Sequence, residues 1–166
     1  MKEIKIYIAN LGKYNEGELV GEWFTLPIRD WEEVKEKVGL NSEYEEYAIH
    51  DYEAPFKIHE YSSIDSLNEI AERFQELNND EIEAAALLLD HGYVDDIHEA
   101  IELLSDIVIH YEDDMASVAM SYYEENGLIN KDDPLHNYVD WERLGNDMRM
   151  EGNFIKGDNF IIEVLF

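Results

Sequence analysis

The chain has 166 residues, with 40 Asp and Glu against 12 Lys and Arg, for a formal net charge of −28. That balance argues against direct binding to nucleic acid or to an anionic membrane, because both need a basic face to neutralise phosphate. The lack of cysteine removes disulfides, thiolate metal sites and cysteine nucleophiles together, and no apolar run is long enough to span a bilayer. The N-terminus MKEIKIYIAN has no signal-peptide core, so a soluble, cytoplasmic protein is expected. High charge is also how disorder is written, but 45% hydrophobic and 12% aromatic residues, interleaved with the acids, argue for a folded chain.

In chain order, Ile4, Ile6 and Ile8 alternate and predict a half-buried strand. A Gly-bearing loop, LGKYNEGELVG, leads to a second strand in EWFTLP. A short helix is expected from Asp30, with Glu33 completing a capping box, to a stop at Gly39. EYAIHDYE reads as a third strand, and the segment as a whole as βαβ-like. From about residue 61 the period becomes helical: Ile64, Leu67, Ile70, Ala71 and Phe74 share one side of a helix that Ser62 or Ser63 would cap. IEAAALLLDH predicts a second helix, capped by Asn79 or Asp80 and stopped by Gly92, and DIHEAIELL a third, capped by Asp95. Beyond that, DIVIH predicts a strand, DMASVAMSYYEEN a helix closed by Gly127, and DPLHNYVDW a helix start with Pro134 in its first turn. A terminal hairpin is expected around Gly157-Asp158-Asn159. The expectation is an α+β chain of three small domains: β-rich 1–60, acidic helical 61–104 and mixed 105–166.

Negative charge covers all three segments, and the helical middle is the extreme, with Arg73 as its only base. Asp65, Glu69, Glu72 and Glu76 fall on one face, opposite the apolar stripe. Asp95, Glu99 and Glu102 repeat the pattern with Asp96 at the edge, and Asp80, Glu81, Glu83, Glu112, Asp113 and Asp114 extend the set. Neighbours three and four apart have Cβ atoms about 5–6 Å apart, while two steps along one DNA strand rise about 6.8 Å. A carboxylate row can therefore approximate a phosphate row. The plainer reading is a solvated face, yet like pairs at these spacings cost roughly 0.2–0.5 kcal/mol each, about 1 kcal/mol for the row. Duplex DNA carries one charge per roughly 1.7 Å, so 28 charges match about 48 Å of duplex.

Catalytic signals are absent. No phosphate-binding glycine loop and no EF-hand pattern occurs, and His98-Glu99-Ala100-Ile101-Glu102 lacks the second His of a zinc-protease helix. His50, His59, His91, His98, His110 and His136 are scattered. Neither an enzyme activity nor a metal or other cofactor is expected. The terminal strand Phe160, Ile161, Ile162, Val164, Leu165, Phe166 is apolar on both faces apart from Glu163, and Tyr122, Tyr123, Tyr138 and Trp141 lie nearby in sequence. These residues either fill the segment's own core or join two copies; a homodimer through the C-terminal third is the reading preferred here.

The run IYIANLGKYNEGELVGEWFTLP at 6–27, EYAIHDYEAPF at 46–56 and YVDWERLGNDMRMEGNFI at 138–155 resemble the ArdA family of antirestriction proteins. The first block is the most specific; the middle segment matches mainly in its acidic helical character. The resemblance implies an elongated, three-domain, homodimeric mimic of B-form DNA carried on conjugative plasmids and transposons. Such a protein occupies the DNA-binding groove of type I restriction-modification enzymes and blocks cleavage, and often methylation, without catalysis. The physical route would be electrostatic exclusion: fixed carboxylates meet the Lys and Arg of the groove through charge-assisted hydrogen bonds, as phosphates do. Three other classes share parts of this pattern: an acidic module that sequesters some other basic protein, a halophilic enzyme, and a carboxylate-dependent hydrolase.

Overall fold

The computed structural model describes residues 3–166. Among these residues the chain forms six strands in two antiparallel three-stranded sheets and seven α-helices. It divides into two compact units, Met1–Ile101 and Glu102–Phe166. The mixed α+β character is as the sequence predicts. The expected boundary near residue 60 lies inside the first unit.

In unit 1, β1 (Lys5–Asn10) is the central strand, flanked by β2 (Gly21–Thr25) and β3 (Tyr47–Glu53). Ile4, Ile6 and Ile8 are fully buried, as their alternation demands. Both neighbours run antiparallel to β1, so β2 and β3 are parallel to each other with β1 between them. The α2 helix (Trp31–Val38) connects them, which makes a split βαβ unit. Asp30 caps α2 by accepting from the Glu32 and Glu33 N–H groups, while the Glu33 carboxylate pairs with Lys37 rather than closing a capping box. Gly39 ends the helix at φ 72°, a left-handed turn that only glycine adopts at little cost.

The stretch expected as a loop after β1 contains a five-residue helix, α1 (Leu11–Asn15). Its cause is tertiary. Asn10 is fully buried; its Oδ1 accepts from the Lys13 N–H at 3.0 Å, and its Nδ2 donates to the Val38 and Gly39 carbonyls at 3.3 and 3.1 Å. One side chain thus caps α1 and ties off the C-terminus of α2.

The rest of unit 1 is helical. Ser63 caps α3 (Ile64–Glu76), whose buried residues Ile64, Leu67, Ile70, Ala71 and Phe74 are the predicted stripe. The Phe74 ring meets Phe56 edge-on at 5.9 Å, and Asn68 exchanges two hydrogen bonds with the Ile28 backbone. For α4 (Asn79–Asp90) the cap is Asn78, one or two residues ahead of the expected Asn79 or Asp80, because Asn78 and Glu81 form a reciprocal capping box. For α5 (Ile97–Glu102) Asp96, not Asp95, accepts from the Glu99 N–H at 3.0 Å.

Unit 2 carries β4 (Ile107–His110), α6 (Met115–Glu125), α7 (Trp141–Glu151), β5 (Phe154–Lys156) and β6 (Ile161–Val164). The β5–β6 hairpin is as predicted, and β6 is the central strand of the order β4-β6-β5. The helix expected from Pro134 starts instead at Trp141. Asp140 accepts from the Arg143 N–H and provides the cap, leaving 136–138 as a single 3-10 turn. Gly145 lets α7 press against α6: a Cβ there would collide with the Met115 carbonyl.

Candidate functional site

The α3 helix shows how the acidic surface is built. Its apolar stripe fixes the helix on the core, and Asp65, Glu69, Glu72 and Glu76 consequently stand exposed on the other side. A rigid helix therefore presents a row of four carboxylates at one-turn spacing. Glu72 is the exception to a bare row, since its Oε1 pairs with Arg29 at 3.0 Å and both groups remain largely in solvent. Such a pair contributes about 0–1 kcal/mol and cancels one charge locally. Burial together with the neighbouring Asp65 charge raises the Tyr47 phenol above its ordinary range.

The remaining predicted acids divide by their local duties. Glu81 is half-buried and spends its carboxylate on the Asn78 N–H at 2.7 Å. Asp80 and Glu83, on the same helix, are half-buried as well. Asp95 and Asp96 are exposed; the Asp95 N–H donates to Glu99 at 3.4 Å, so Glu99 folds back toward the start of α5. Glu102 and Asp113 are exposed and Glu112 is half-buried. Asp114 caps α6 by accepting from the Ser117 N–H at 2.8 Å, and that bond holds its carboxyl below the usual carboxylate range. The row on α3 is the part of the set least absorbed by capping.

The predicted contact residues of unit 2 also separate. Phe160, Ile162 and Val164 are buried inside their own unit, since β6 is central and covered on both faces. Trp141 and Tyr123 are half-buried and meet edge-on at 6.2 Å. Tyr122, Tyr138 and Phe166 are exposed, Tyr138 at 87%. Sequence reasoning passed over other exposed apolar side chains of this unit, among them Leu128, Leu135 and Met150. Their signal was available, since Leu128 and Leu135 sit in the polar stretch between α6 and α7 where no core demands them. Among the described residues no group of three or more His, Asp and Glu is placed to hold a metal ion.

A family model described as Antirestriction protein (ArdA) matches residues 6–162. The chain belongs to the ArdA family. No curated protein matches it. Membership assigns this ArdA protein the family's function, antirestriction, which is inhibition of an enzyme rather than catalysis. It also makes restriction-modification enzymes its partners. No helix among the described residues of this ArdA protein is long and apolar enough to cross a membrane.

Proposed function

We propose that this ArdA protein acts as a mimic of B-form DNA that occupies the DNA-binding groove of type I restriction-modification enzymes. Restriction is blocked because duplex DNA and the protein compete for one set of Lys and Arg side chains, and methylation is blocked by the same exclusion. The observation that carries this reading is the α3 row: four exposed carboxylates fixed at about 5–6 Å intervals on the face opposite the buried stripe. Fixing them on a helix removes part of the ordering cost that a flexible acidic chain would incur on binding. The remaining charge, spread over the whole chain, adds long-range attraction to a basic cleft.

The working form is an elongated homodimer of three-domain chains (1–60, 61–104, 105–166) joined through unit 2. The exposed Tyr122, Leu128, Leu135, Tyr138 and Met150 supply apolar area for that contact, and the cytoplasm is where it would act. Two chains of this charge repel, so the interface needs an apolar centre with the acids displaced to its rim.

Competition against a DNA duplex for a purified type I methyltransferase with its specificity subunit tests the proposal. Displacement of duplex that weakens steeply between low and physiological salt is expected, because many ion contacts form. Inhibition without displacement, or displacement indifferent to salt, would remove DNA mimicry. Equal binding to an unrelated basic protein would favour a general sequestering module.

A further inference from the structure

Unit 2 contains four Lys and Arg residues, and three of them line one cleft of about 710 Å³ between the start of α6, the face of α7 and strand β5. Arg143 and Arg149 come from α7 and Lys156 from β5. In unit 1, by contrast, Lys5, Lys13, Arg29, Lys35 and Lys37 each meet a carboxylate within 3.5 Å. The cleft cations make no such close pair. Arg149 Nη2 donates to Asn146 Oδ1 at 2.9 Å, Lys156 Nζ reaches the Asp113 carbonyl at 3.5 Å, and among the described residues none of the three forms a salt bridge.

Three carboxylates, Asp114, Asp140 and Glu142, line the same cleft, and Lys156 acts on Asp114, so neutralising the local acids accounts for Lys156 but not for the two arginines. Asp114 and Asp140, both on the cleft, aim their carboxylates at the backbone N–H groups of Ser117 and Arg143 as helix caps. Two guanidinium groups without a carboxylate in salt-bridge range, with an ammonium beside them, in a chain where acids outnumber bases 40 to 12, leave room for an anion from outside. The two guanidinium forks suit phosphate oxygens, which they can bind in pairs. The half-buried Phe154 adds an apolar wall, and Glu142, also lining the cleft, can accept N–H donors. The volume suits a ligand of several hundred daltons.

We propose that this cleft binds a nucleoside phosphate, its phosphates on Arg143, Arg149 and Lys156 and its base toward Phe154. An acidic peptide would use the cations but not the aromatic wall, and duplex DNA is repelled by the rest of the surface. This inference does not depend on how the protein meets restriction enzymes.

The test is calorimetric titration of the full chain with ATP in low-salt, magnesium-free buffer, beside adenosine, inorganic phosphate and an oligoglutamate peptide. Saturable binding of one ATP per chain is expected, tighter than each of the other three. The double variant Arg143→Gln with Arg149→Gln should weaken it about tenfold or more, since two charge-assisted contacts are lost. Lys156→Gln should weaken it less, and Lys131→Gln, which removes the fourth base of the unit from outside the cleft, should leave it unchanged. All four side chains are exposed, so circular dichroism should report an intact fold in each variant. No saturable ATP binding at millimolar concentration would overturn the proposal. So would an equal loss in Lys131→Gln, or phosphate or oligoglutamate binding as tightly as ATP.

Discussion

The two units carry net charge at nearly the same density and differ in the apolar surface they expose. Unit 1 sets 25 acids against 8 bases, and its exposed large apolar residues are Tyr14, Leu19, Trp23 and Tyr61. Unit 2 has 15 acids and 4 bases, yet in fewer residues it exposes Val108, Tyr111, Tyr122, Leu128, Leu135, Tyr138, Met150, Leu165 and Phe166. Unit 1 keeps most of its apolar residues inside, beneath an acidic surface that suits a charged partner. Unit 2 presents the kind of mixed surface that protein contacts use. That contrast underlies the proposed division of labour, in which both units carry charge and unit 2 also supplies association.

The comparison breaks most sharply through the cores. Phe74→Ala should cost about 3–5 kcal/mol, since the ring is fully buried against Phe56. Gly145→Val should cost about 1–3 kcal/mol by forcing α6 from α7. Hydrogen exchange should place the first loss in residues 1–101 and the second in 102–166. If both substitutions loosen the whole chain equally, the units do not fold separately and the division fails. Asn10→Ala belongs to the same experiment at about 1–3 kcal/mol, because it leaves the Val38 and Gly39 carbonyls short of a donor.

Association gives the next test. Sedimentation equilibrium should yield twice 19.5 kDa, and Leu135→Asp with Tyr138→Asp should shift the mass toward the monomer without unfolding it. Substituting Ile162, which is fully buried, would confuse interface with core. A wild-type monomer at high micromolar concentration would take the association role from unit 2.

How much of this was legible beforehand depends on whether a signal was local. The alternation of Ile4, Ile6 and Ile8, the stripe through Phe74, and the Asp30 and Gly39 caps each need only nearby residues, and each appears where the sequence puts it. The α1 helix was hidden because LGKYN contains glycine and spans one turn; its support arrives from Val38 and Gly39, 28 and 29 residues away. Start sites at Asn78, Asp96 and Asp140 were misjudged by one to several residues because several Asn and Asp compete, and only geometry chooses among them. The exposure of the α3 acids followed from periodicity, but the Arg29 contact to Glu72, 43 residues apart, could not. A strand apolar on both faces suits a core as well as an interface, and β6 is central in its sheet.

Charge removal separates stability from function in unit 1. Neutralising the α3 row together, with Asp65→Asn, Glu69→Gln, Glu72→Gln and Glu76→Gln, should stabilise the isolated protein by up to about 1 kcal/mol at low salt, less the lost Arg29 pair. Inhibition of the restriction enzyme should fall in the same variant. Opposite signs in thermal denaturation and in a cleavage assay would sharpen the assignment of the row to binding. A variant less stable and equally inhibitory would make the row a solvated surface.

The smallest effect distinguishes the units by pH. In unit 2 the Ser117 N–H lowers the Asp114 pKa, so the unfolded chain takes up that proton first as the pH falls. The contribution of Asp114 is therefore present above its unfolded pKa, near 4, and is lost as pH drops through its lower folded value. In unit 1 the shifts of Lys5 and Lys37 run upward, through hydrogen bonds to Glu53 and Glu33 respectively. Tyr44 also shifts upward, because its phenol donates to Glu16. Those contributions are complete below the unfolded values and disappear as pH rises through the folded ones, above about 10. Lys37 and Asp114 are exposed and Lys5 and Tyr44 only half-buried, so the slopes are shallow and best read as differences between variants. Asp114→Asn keeps a capping oxygen but cannot titrate, and should flatten the acid limb of unit 2 while leaving the alkaline limb alone. Lys37→Met should do the reverse in unit 1. Amide-resolved NMR across both limits would show which unit responds; an alkaline response in α6, or an acid response lost from α2 in the Asp114 variant, would mean that the two surfaces are electrostatically one.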